Sequence, residues 1–184
     1  MRINSILEVS EANGPGKRGV VWVQGCARHC AGCFNHETQN PDKGKDISIE
    51  EIFSRFNTDI LEGITVSGGE PFDQPTDLEK LLKKARLKGL NTLVYTGYSY
   101  EELADRLSQV LKLCDYIIDG PYIKDWPSKC RWAGSGNQRF LELENGKIKK
   151  DLTVGKEYCQ TAEIIIDESG NAIVTGFIEN QLIL

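Results

Sequence analysis

The 184-residue chain predicts an α/β fold, a partial (βα) barrel with a mostly parallel sheet, extended at its C-terminus by a β-hairpin. Three features of the sequence lead to this prediction. Amphipathic segments alternate with short β-rich runs, each amphipathic segment opens with an S/T-x-x-E capping signal, and the alternation stops near residue 145. Short connections between alternating strands and helices imply parallel pairing and right-handed crossovers. Periodicity alone does not distinguish a partial barrel from an open doubly wound sheet.

The strands are predicted from short runs rich in β-branched, aromatic and other apolar residues, bounded by turn-forming residues. Five such runs are Val20–Val23, Ile64–Val66, Thr92–Tyr95, Tyr116–Ile118 and Phe140–Leu143. Most connections between them have room for a helix, which favours neighbouring strands that run parallel.

Three helices are predicted, with N-caps at Ser48, Thr76 and Ser99. Each cap precedes apolar residues at the i, i+3, i+4, i+7 spacing of a helix that buries one face. The three stripes are Ile49, Ile52, Phe53, Phe56; Leu78, Leu81, Leu82, Ala85; and Leu103, Leu107, Val110, Leu111. Gly89 is expected to end the second helix.

The C-terminal hairpin is predicted from Glu163–Asp167 and Ala172–Thr175, which flank the turn sequence 168–171. No linker, repeat or low-complexity tract separates it from the rest of the chain. We therefore expect one domain over residues 1–184, with a core at about 3–143 and an extension at about 144–184.

Composition restricts the classes of partner. The chain carries 22 Lys and Arg against 27 Asp and Glu, a net charge of −5, and its basic residues are scattered. This pattern gives no electrostatic footprint for a nucleic acid. No apolar run approaches the roughly 18 residues that span a bilayer, so we expect no membrane partner and a cytoplasmic location. Since disulfides are rare there, the six cysteines indicate metal binding.

Three of these cysteines, Cys26, Cys30 and Cys33, form a C-x3-C-x2-C loop directly after the first predicted strand. Thiolates are the usual ligands of iron–sulfur clusters, and three of them hold three irons of a cubane while the fourth iron stays open to a cofactor. A structural zinc ion is the alternative, with His29 or His36 as its fourth ligand.

Other unusual motifs also follow predicted strands directly, and they include Ser67–Pro71, Thr96–Tyr98 and Asp119–Pro121. In parallel α/β folds the loops at the carboxyl ends of the strands converge on one crevice. The sequence therefore predicts a single site where these motifs meet the cysteine loop.

The cysteine loop followed by a Gly-Gly-Glu-Pro motif resembles the radical S-adenosylmethionine superfamily. The resemblance extends to Gly14–Arg18, Gly25–Asn35, Tyr95–Tyr98, Asp119–Tyr122 and Trp132–Arg139. In this order the motifs are most similar to those of the glycyl radical enzyme activases that serve the anaerobic ribonucleotide reductase.

The resemblance implies a site-differentiated [4Fe-4S] cluster on Cys26, Cys30 and Cys33, with S-adenosylmethionine chelated to the open iron. The residues expected to bind the cofactor are Phe34, Asn35, Ser67, Gly68, Gly69, Glu70, Thr96, Asp119, Asn137 and Arg139. Glu70 is expected to accept a charge-assisted hydrogen bond from the cofactor's amino group. Ordinary alternatives exist for some of them: turn formation for Thr96 and Asp119, and core packing for Phe34.

The resemblance also implies the chemistry. One electron from a flavodoxin- or ferredoxin-type reductant cleaves S-adenosylmethionine to methionine and a 5′-deoxyadenosyl radical, without a protein acid or base. That radical is expected to produce a glycyl radical on a partner enzyme such as anaerobic ribonucleotide reductase.

Two alternatives remain open. A stand-alone radical enzyme acting on a small molecule or a ribosomal peptide is favoured by the C-terminal extension, and by His36 and Gln39, where activases usually carry proline and tryptophan. A non-catalytic iron–sulfur or zinc module would not need Glu70. Cys114, Cys130 and Cys159 have no metal-ligand spacing, and Cys114 is expected to be a buried thiol.

Overall fold

The computed structural model describes residues 1–128, 130–153, 161–166, 170 and 172–176. In this part of the chain an eight-stranded mixed sheet has the order β3-β1-β2-β4-β5-β6-β7-β8, and β9 and β10 form a separate pair. The strands are β1 Arg2–Ser10, β2 Arg18–Val23, β3 Lys45–Asp46, β4 Gly63–Gly68, β5 Asn91–Tyr95, β6 Tyr116–Asp119, β7 Arg139–Glu144, β8 Lys147–Asp151, β9 Ala162–Ile166 and β10 Ala172–Gly176. The helices are α1 Ile49–Ser54, α2 Pro75–Leu87, α3 Tyr100–Arg106 and α4 Ser108–Leu111.

The centre of the sheet is parallel, as the alternation predicts. Strands β2, β4, β5 and β6 pair in parallel, and they lie side by side in chain order. Right-handed crossovers that always advance in one direction place their helices on one face, as in the wall of a barrel. A doubly wound sheet would need a reversal of strand order, which these four strands do not show. The sheet is open at β3 and β8, so a closed barrel is not observed.

The rest of the large sheet is antiparallel, which corrects the expected mostly parallel sheet to a mixed one. Strands β1 and β3 extend one edge, and β7 and β8 extend the other. The predicted run at 140–143 is a strand, but it follows a long loop instead of a helix and pairs antiparallel with β6. The short connection from β7 to β8 allows only antiparallel pairing.

Side chains alternate between the two faces of the central strands. Val66, Val94 and Ile117 pack with the helices in the main hydrophobic core, which also contains Leu78, Leu81, Leu82 and Leu111 from the helices. Leu93 and Ile118 point to the other face, where they pack with Phe140 and the loop residue Ala133. Because the helices cover one face, the opposite face is left to carry a cavity.

Two of the three predicted caps are observed. Ser48 and Ser99 accept hydrogen bonds from the third residue of their helices, and Ser99 completes a capping box with Glu102. The predicted cap at Thr76 is wrong, because α2 already begins at Pro75, whose fixed φ favours the first helical position.

Two further predictions concern the end of the second helix and the continuity of the third. Gly89 has φ +75° just beyond α2, where the amide of Leu90 bonds the carbonyl of Ala85 at 3.0 Å. This closure is the expected glycine-terminated helix end. The third predicted helix is broken, since Leu107 has φ −135° and separates α3 from α4.

The motif Gly14–Arg18 serves the fold. The Arg18 side chain is fully buried at the start of β2 and donates to Thr65 Oγ1 at 2.8 Å and to Asn91 Oδ1 at 2.7 Å. Its other hydrogen bonds reach the main-chain carbonyls of Pro15, Ile64 and Asn91. Burial lowers its pKa to about 10. The guanidinium thus joins β2, β4 and β5 through neutral acceptors.

The predicted C-terminal hairpin is confirmed. Strands β9 and β10 pair antiparallel from Ala172↔Ile166 to Gly176↔Ala162, and of its turn only Gly170 lies within the described residues. Asn13 Nδ2 donates to Thr175 Oγ1 at 2.9 Å, and Glu163 accepts the amide of Glu11 at 2.8 Å. Both strands are therefore tied to the turn between β1 and β2.

None of the helices in the described part of the chain has the length and apolarity needed to cross a membrane.

Candidate functional site

A cavity of about 680 Å³ lies on the sheet face opposite the helices and extends to the carboxyl ends of the parallel strands. Residues from every predicted strand-end motif line it, together with residues of β1 and β10. The predicted site residues in its lining are Cys26, Cys30, Cys33, Phe34, Asn35, Ser67, Gly68, Gly69, Glu70 and Thr96. The structure thus brings ten of the expected residues to one place.

The cysteine loop leaves β2 through Gly25, whose φ of +98° would strain any other residue. The loop is held by main-chain hydrogen bonds from Gly25 to Thr38 at 2.7 Å and from Cys26 to Gln39 at 3.1 Å. The thiols of Cys26, Cys30 and Cys33 are free and partly exposed. These bonds fix the base of the loop while its sulfurs stay accessible from the cavity.

The Gly-Gly-Glu turn docks directly on the start of this loop. A Cβ atom at Gly69 would collide with the Gly25 carbonyl, and one at Gly68 would lie 2.6 Å from the main chain of Val23. The amide of Glu70 donates to the Gly25 carbonyl at 2.8 Å. The two glycines are therefore required for close approach between strand ends, whether or not they also contact a cofactor.

The Glu70 carboxylate is 1% exposed and is held from three directions. It accepts the Thr96 hydroxyl at 2.9 Å, the Gly97 amide at 2.8 Å and the Phe72 amide at 3.1 Å. Burial raises its pKa to about 7, although all three hydrogen bonds favour the ionised form. An ammonium group arriving in the cavity would stabilise the ionised carboxylate further.

A polar network joins the cluster loop to the next strand end. Asp73 accepts the Tyr98 hydroxyl at 2.9 Å and the Ala27 amide at 3.2 Å. The Arg28 guanidinium lies 4.6 Å from the centre of the Tyr98 ring, a cation–π contact. Arg28 also packs so closely on Gly97 that a Cβ there would lie 2.5 Å from its Cδ atom.

Phe34 and Asn35 form the outer part of the cavity near the cysteines. The Phe34 ring is 60% exposed and lies 4.6 Å from the Tyr122 ring. The main-chain carbonyl of Asn35 accepts the Thr38 hydroxyl at 2.7 Å. Phe34 therefore lies at the rim of the cavity and outside the buried core.

The remaining predicted residues, Asp119, Asn137 and Arg139, do not line the cavity. Asp119 is 1% exposed, accepts the Tyr100 amide at 2.7 Å and pairs with the Arg139 guanidinium, which also bonds Glu101. These contacts raise the pKa of Arg139. Asn137 Nδ2 donates to the Pro121 carbonyl at 2.7 Å. The hydrogen bonds and ion pairs of Asp119, Asn137 and Arg139 therefore hold loops and strand ends together.

Several lining residues were missed by the sequence reasoning. Trp22, Arg28, Tyr95, Tyr122 and Gln138 all face the cavity. The signal for two of them was strand parity. Trp22 lies beside Ser67 in the register of β2 and β4, and Tyr95 lies two residues after Leu93, which faces away from the helices. Gln138 lies between the two residues chosen from its motif, and its amide bonds Gly120 and Gly134.

The residues present fit an iron–sulfur cluster. No three His, Cys, Asp or Glu side chains in the described ranges converge on a single-ion site. Each cysteine of a cubane binds a different iron, so three accessible thiols spaced along one loop are the appropriate donors. Partial burial, with the nearby Glu70 carboxylate, raises the pKa of the Cys26 thiol, and bound iron would reverse this preference.

Cys114 and Cys130 are unsuited to this task. Both are buried, and burial raises the pKa of Cys130 to about 11. The buried position of Cys114 agrees with the sequence prediction. Cys159 lies outside the described residues.

The fold and the three-thiol loop define the class of the molecule as a protein with a single 4Fe-4S cluster. A family model described as "4Fe-4S single cluster domain" matches residues 12–141. The matched range contains the cysteine loop, Glu70, Thr96 and the parallel strands that position them.

Similarity to characterised proteins identifies the family. An anaerobic ribonucleoside-triphosphate reductase-activating protein of Enterobacteria phage T4 is 34% identical over 159 residues, which cover 82% of this chain and 100% of that protein. Its namesake in Escherichia coli (strain K12) is 32% identical over 149 residues, 75% of this chain and 96% of that protein. A pyruvate formate-lyase-activating enzyme of Clostridium pasteurianum is 34% identical over 147 residues, 76% of this chain and 60% of that protein.

The chain belongs to the family of anaerobic ribonucleoside-triphosphate reductase-activating proteins. It is a radical S-adenosylmethionine enzyme of the glycyl radical activase type. Its cofactors are a [4Fe-4S] cluster and S-adenosylmethionine.

Proposed function

We propose that this chain generates a glycyl radical on a partner enzyme, with an anaerobic ribonucleoside-triphosphate reductase as the first candidate. The single observation that supports this most strongly is the shared cavity of three free thiols and the buried Glu70 carboxylate. The relatives named for activating this reductase, and the one named for activating pyruvate formate-lyase, point to the same kind of partner.

In this proposal the residues of the chain bind and orient the cofactors. Cys26, Cys30 and Cys33 hold three irons and leave the fourth for S-adenosylmethionine. When bound, the two cofactors supply one-electron cleavage of the sulfonium to methionine and a 5′-deoxyadenosyl radical, which takes a hydrogen atom from a glycine α-carbon. Glu70 accepts a hydrogen bond from the amino group of S-adenosylmethionine. The Thr96 hydroxyl and the Gly97 amide hold the two oxygens of the Glu70 carboxylate in place.

The proposed reaction requires no protein acid or base. Cleavage of the sulfonium requires one electron from outside, for which we propose a flavodoxin- or ferredoxin-type reductant. The protein's task is to place the substrate carbon beside the cofactor and to keep quenching groups away. We propose that the partner enzyme itself closes the cavity.

The test is an anaerobic assay with the reconstituted enzyme, S-adenosylmethionine, a chemical reductant and the anaerobic reductase of the same organism. Production of 5′-deoxyadenosine together with a glycyl radical signal in spin resonance supports the proposal. Cys30→Ala, which removes one iron ligand, is expected to abolish both signals. Formation of 5′-deoxyadenosine without a radical on the reductase, or on a pyruvate formate-lyase, would favour a small-molecule or peptide substrate instead.

A further inference from the structure

The cysteine loop carries a cation into a cavity whose other charged side chains are acidic. Arg28 lies between the iron ligands Cys26 and Cys30, and it is the only lysine or arginine in the described lining. The other charged side chains of this lining are those of Glu37 and Glu70. The cysteines add negative charge when they bind iron as thiolates. An anionic group that enters the cavity therefore finds one basic side chain to pair with.

The Arg28 guanidinium is uncommitted. It forms no hydrogen bond or ion pair with the described residues. The two carboxylates closest to it through shared neighbours are already occupied, because Glu70 accepts three hydrogen bonds and Asp73 accepts two. The N–H donors of Arg28 are thus available to a ligand.

Although it lacks a polar partner, the Arg28 side chain is held in place. Its guanidinium lies 4.6 Å from the centre of the Tyr98 ring, and the Tyr98 hydroxyl is anchored on Asp73 at 2.9 Å. A Cβ atom at Gly97 would lie 2.5 Å from Arg28 Cδ and 3.5 Å from Glu70 Oε2. Arg28 and Glu70 therefore border the same small residue and present opposite charges beside each other.

We propose that Arg28 binds the α-carboxylate of S-adenosylmethionine, so that Arg28 and Glu70 together recognise the amino-acid end of the cofactor. An α-amino acid carries an ammonium group and a carboxylate side by side, and guanidinium groups pair well with carboxylates. Without Arg28 the carboxylate would enter a cavity whose other charged side chains are acidic, where like charges disfavour its ionised form. A carboxylate has two oxygens, so this pairing is compatible with binding to the open iron.

The inference rests on one part of the proposed function, the binding of the cofactor's amino group by Glu70, and it does not depend on the partner enzyme. It also gives the cysteine loop a second task. The loop that holds the iron atoms would supply the side chain that orients the cofactor on them, and Asp73 would support this side chain through Tyr98.

The test is titration calorimetry on the reconstituted enzyme with an oxidised cluster and no reductant, so that the cofactor is bound but not cleaved. The two ligands are S-adenosylmethionine and its decarboxylated form, which keeps the amino group and lacks the carboxylate. We expect Arg28→Gln to weaken binding of S-adenosylmethionine about tenfold or more, and binding of the decarboxylated form less than about twofold. Iron and sulfide contents establish that the variant holds its cluster.

Arg106→Gln is the matched control. The Arg106 guanidinium also lies near the Tyr98 ring, 5.7 Å from its centre, but Arg106 is exposed and outside the cavity lining. Both affinities should stay within about twofold of wild type. Arg28→Lys keeps the positive charge and should bind S-adenosylmethionine with an affinity between those of wild type and Arg28→Gln.

Three outcomes overturn the inference. The first is an equal effect of Arg28→Gln and Arg106→Gln on the affinity for S-adenosylmethionine. The second is equal weakening of both ligands in Arg28→Gln, because the side chain would then support the loop and not the carboxylate. The third is a wild-type enzyme that binds the two ligands equally or binds neither.

Glu70→Gln separates this inference from the proposed function. Both ligands carry the amino group, so this variant should weaken both by a similar factor and leave their ratio near the wild-type value. Unchanged affinities in Glu70→Gln would refute the assignment of Glu70 while the ratio in Arg28→Gln still decides Arg28. A wild-type enzyme that shows the expected ratios but forms no glycyl radical on any partner would refute the proposed function alone.

Discussion

The Tyr98 hydroxyl donates a 2.9 Å hydrogen bond to Asp73, whose second oxygen accepts the amide that follows Cys26. One carboxylate therefore connects the first residues of the cluster loop with the end of β5. Since Tyr98 also carries the Arg28 guanidinium on its ring, this contact links the iron ligands to the residues around Glu70. Asp73 acts on the site through these neighbours and is a positioning residue.

Asp73→Ala removes both hydrogen bonds, and we expect the KM for S-adenosylmethionine to rise about fivefold. This corresponds to roughly 1 kcal/mol, the usual net contribution of an exposed hydrogen-bonded group. The spin-resonance signal of the reduced cluster is expected to change its response to added S-adenosylmethionine. Steady-state kinetics and spectroscopy of the reconstituted enzyme measure the two effects.

Asp42→Ala is the matched control for this change, because Asp42 is also exposed and follows the cysteine loop, but its carboxylate makes no hydrogen bond or ion pair with the described residues. It should leave both measurements unaltered. An equal effect of the two variants would show that Asp73 contributes only general charge near the loop.

Thr96 is predicted to act on the cofactor by orienting Glu70. Thr96→Val keeps the shape of the side chain but removes the 2.9 Å donor to Glu70 and the 3.1 Å acceptor of the Tyr98 amide. We expect a loss of about 1–2 kcal/mol in the free energy of unfolding, because a main-chain donor loses its partner. The KM for S-adenosylmethionine should rise several-fold, as the carboxylate is less firmly held.

Thr96→Ser retains the hydroxyl and should restore the affinity for S-adenosylmethionine to near the wild-type value. Urea unfolding and the dependence of 5′-deoxyadenosine formation on cofactor concentration provide the measurements. A wild-type KM in Thr96→Val would exclude the orienting role.

Arg139 is predicted to stabilise the fold more than it assists the reaction. Arg139→Met leaves the buried Asp119 with the Tyr100 amide as its remaining partner, and removing one member of a buried pair costs about 3 kcal/mol. Glu101→Gln perturbs only the exposed member of the same cluster and should cost less than about 1 kcal/mol. Chemical unfolding measures both changes, and the KM for S-adenosylmethionine should be unchanged. A raised KM with normal stability would instead assign Arg139 to the cofactor.

Much of the fold was accessible from the sequence because local signals agreed with the final packing. Capping residues such as Ser48 and Ser99 act within one helical turn, and the buried central strands have strong β-propensity. Strands β1 and β8 escaped prediction because their sequences lack the usual pattern. Strand β1 has two register shifts against β2, which break its alternation, and β8 is an exposed edge strand of mostly charged residues.

The candidate site was predicted best where a motif itself forms the lining. The cysteines and Glu70 follow strands directly, so their meeting in one cavity follows from the parallel pairing. Trp22 and Tyr95 were missed because their role depends on which face of the sheet stays uncovered by helices. The contribution of β10 depends on a tertiary contact between residues 13 and 175, which no local pattern encodes.

Glu70 predicts a pH dependence of stability. Burial raises its pKa from 4.5 to about 7 on folding, so between these values the folded protein binds more protons than the unfolded chain. Its stabilising contribution is therefore complete below about pH 4.5 and is lost as the pH rises through 7. Glu70→Gln cannot ionise, and in the cluster-free protein we expect it to be more stable than wild type at pH 8, by up to about 3 kcal/mol.

The advantage of Glu70→Gln should fall to less than about 1 kcal/mol at pH 5, where the wild-type side chain is also neutral in the folded state. Urea unfolding of both cluster-free proteins at the two pH values gives the comparison. Any constant cost of placing an amide against the Gly97 and Phe72 donors cancels in the difference between pH values. A pH-independent difference would mean that Glu70 is ionised throughout this range. In the reconstituted enzyme the same variant should weaken S-adenosylmethionine binding, because the carboxylate that the cofactor's amino group requires is gone.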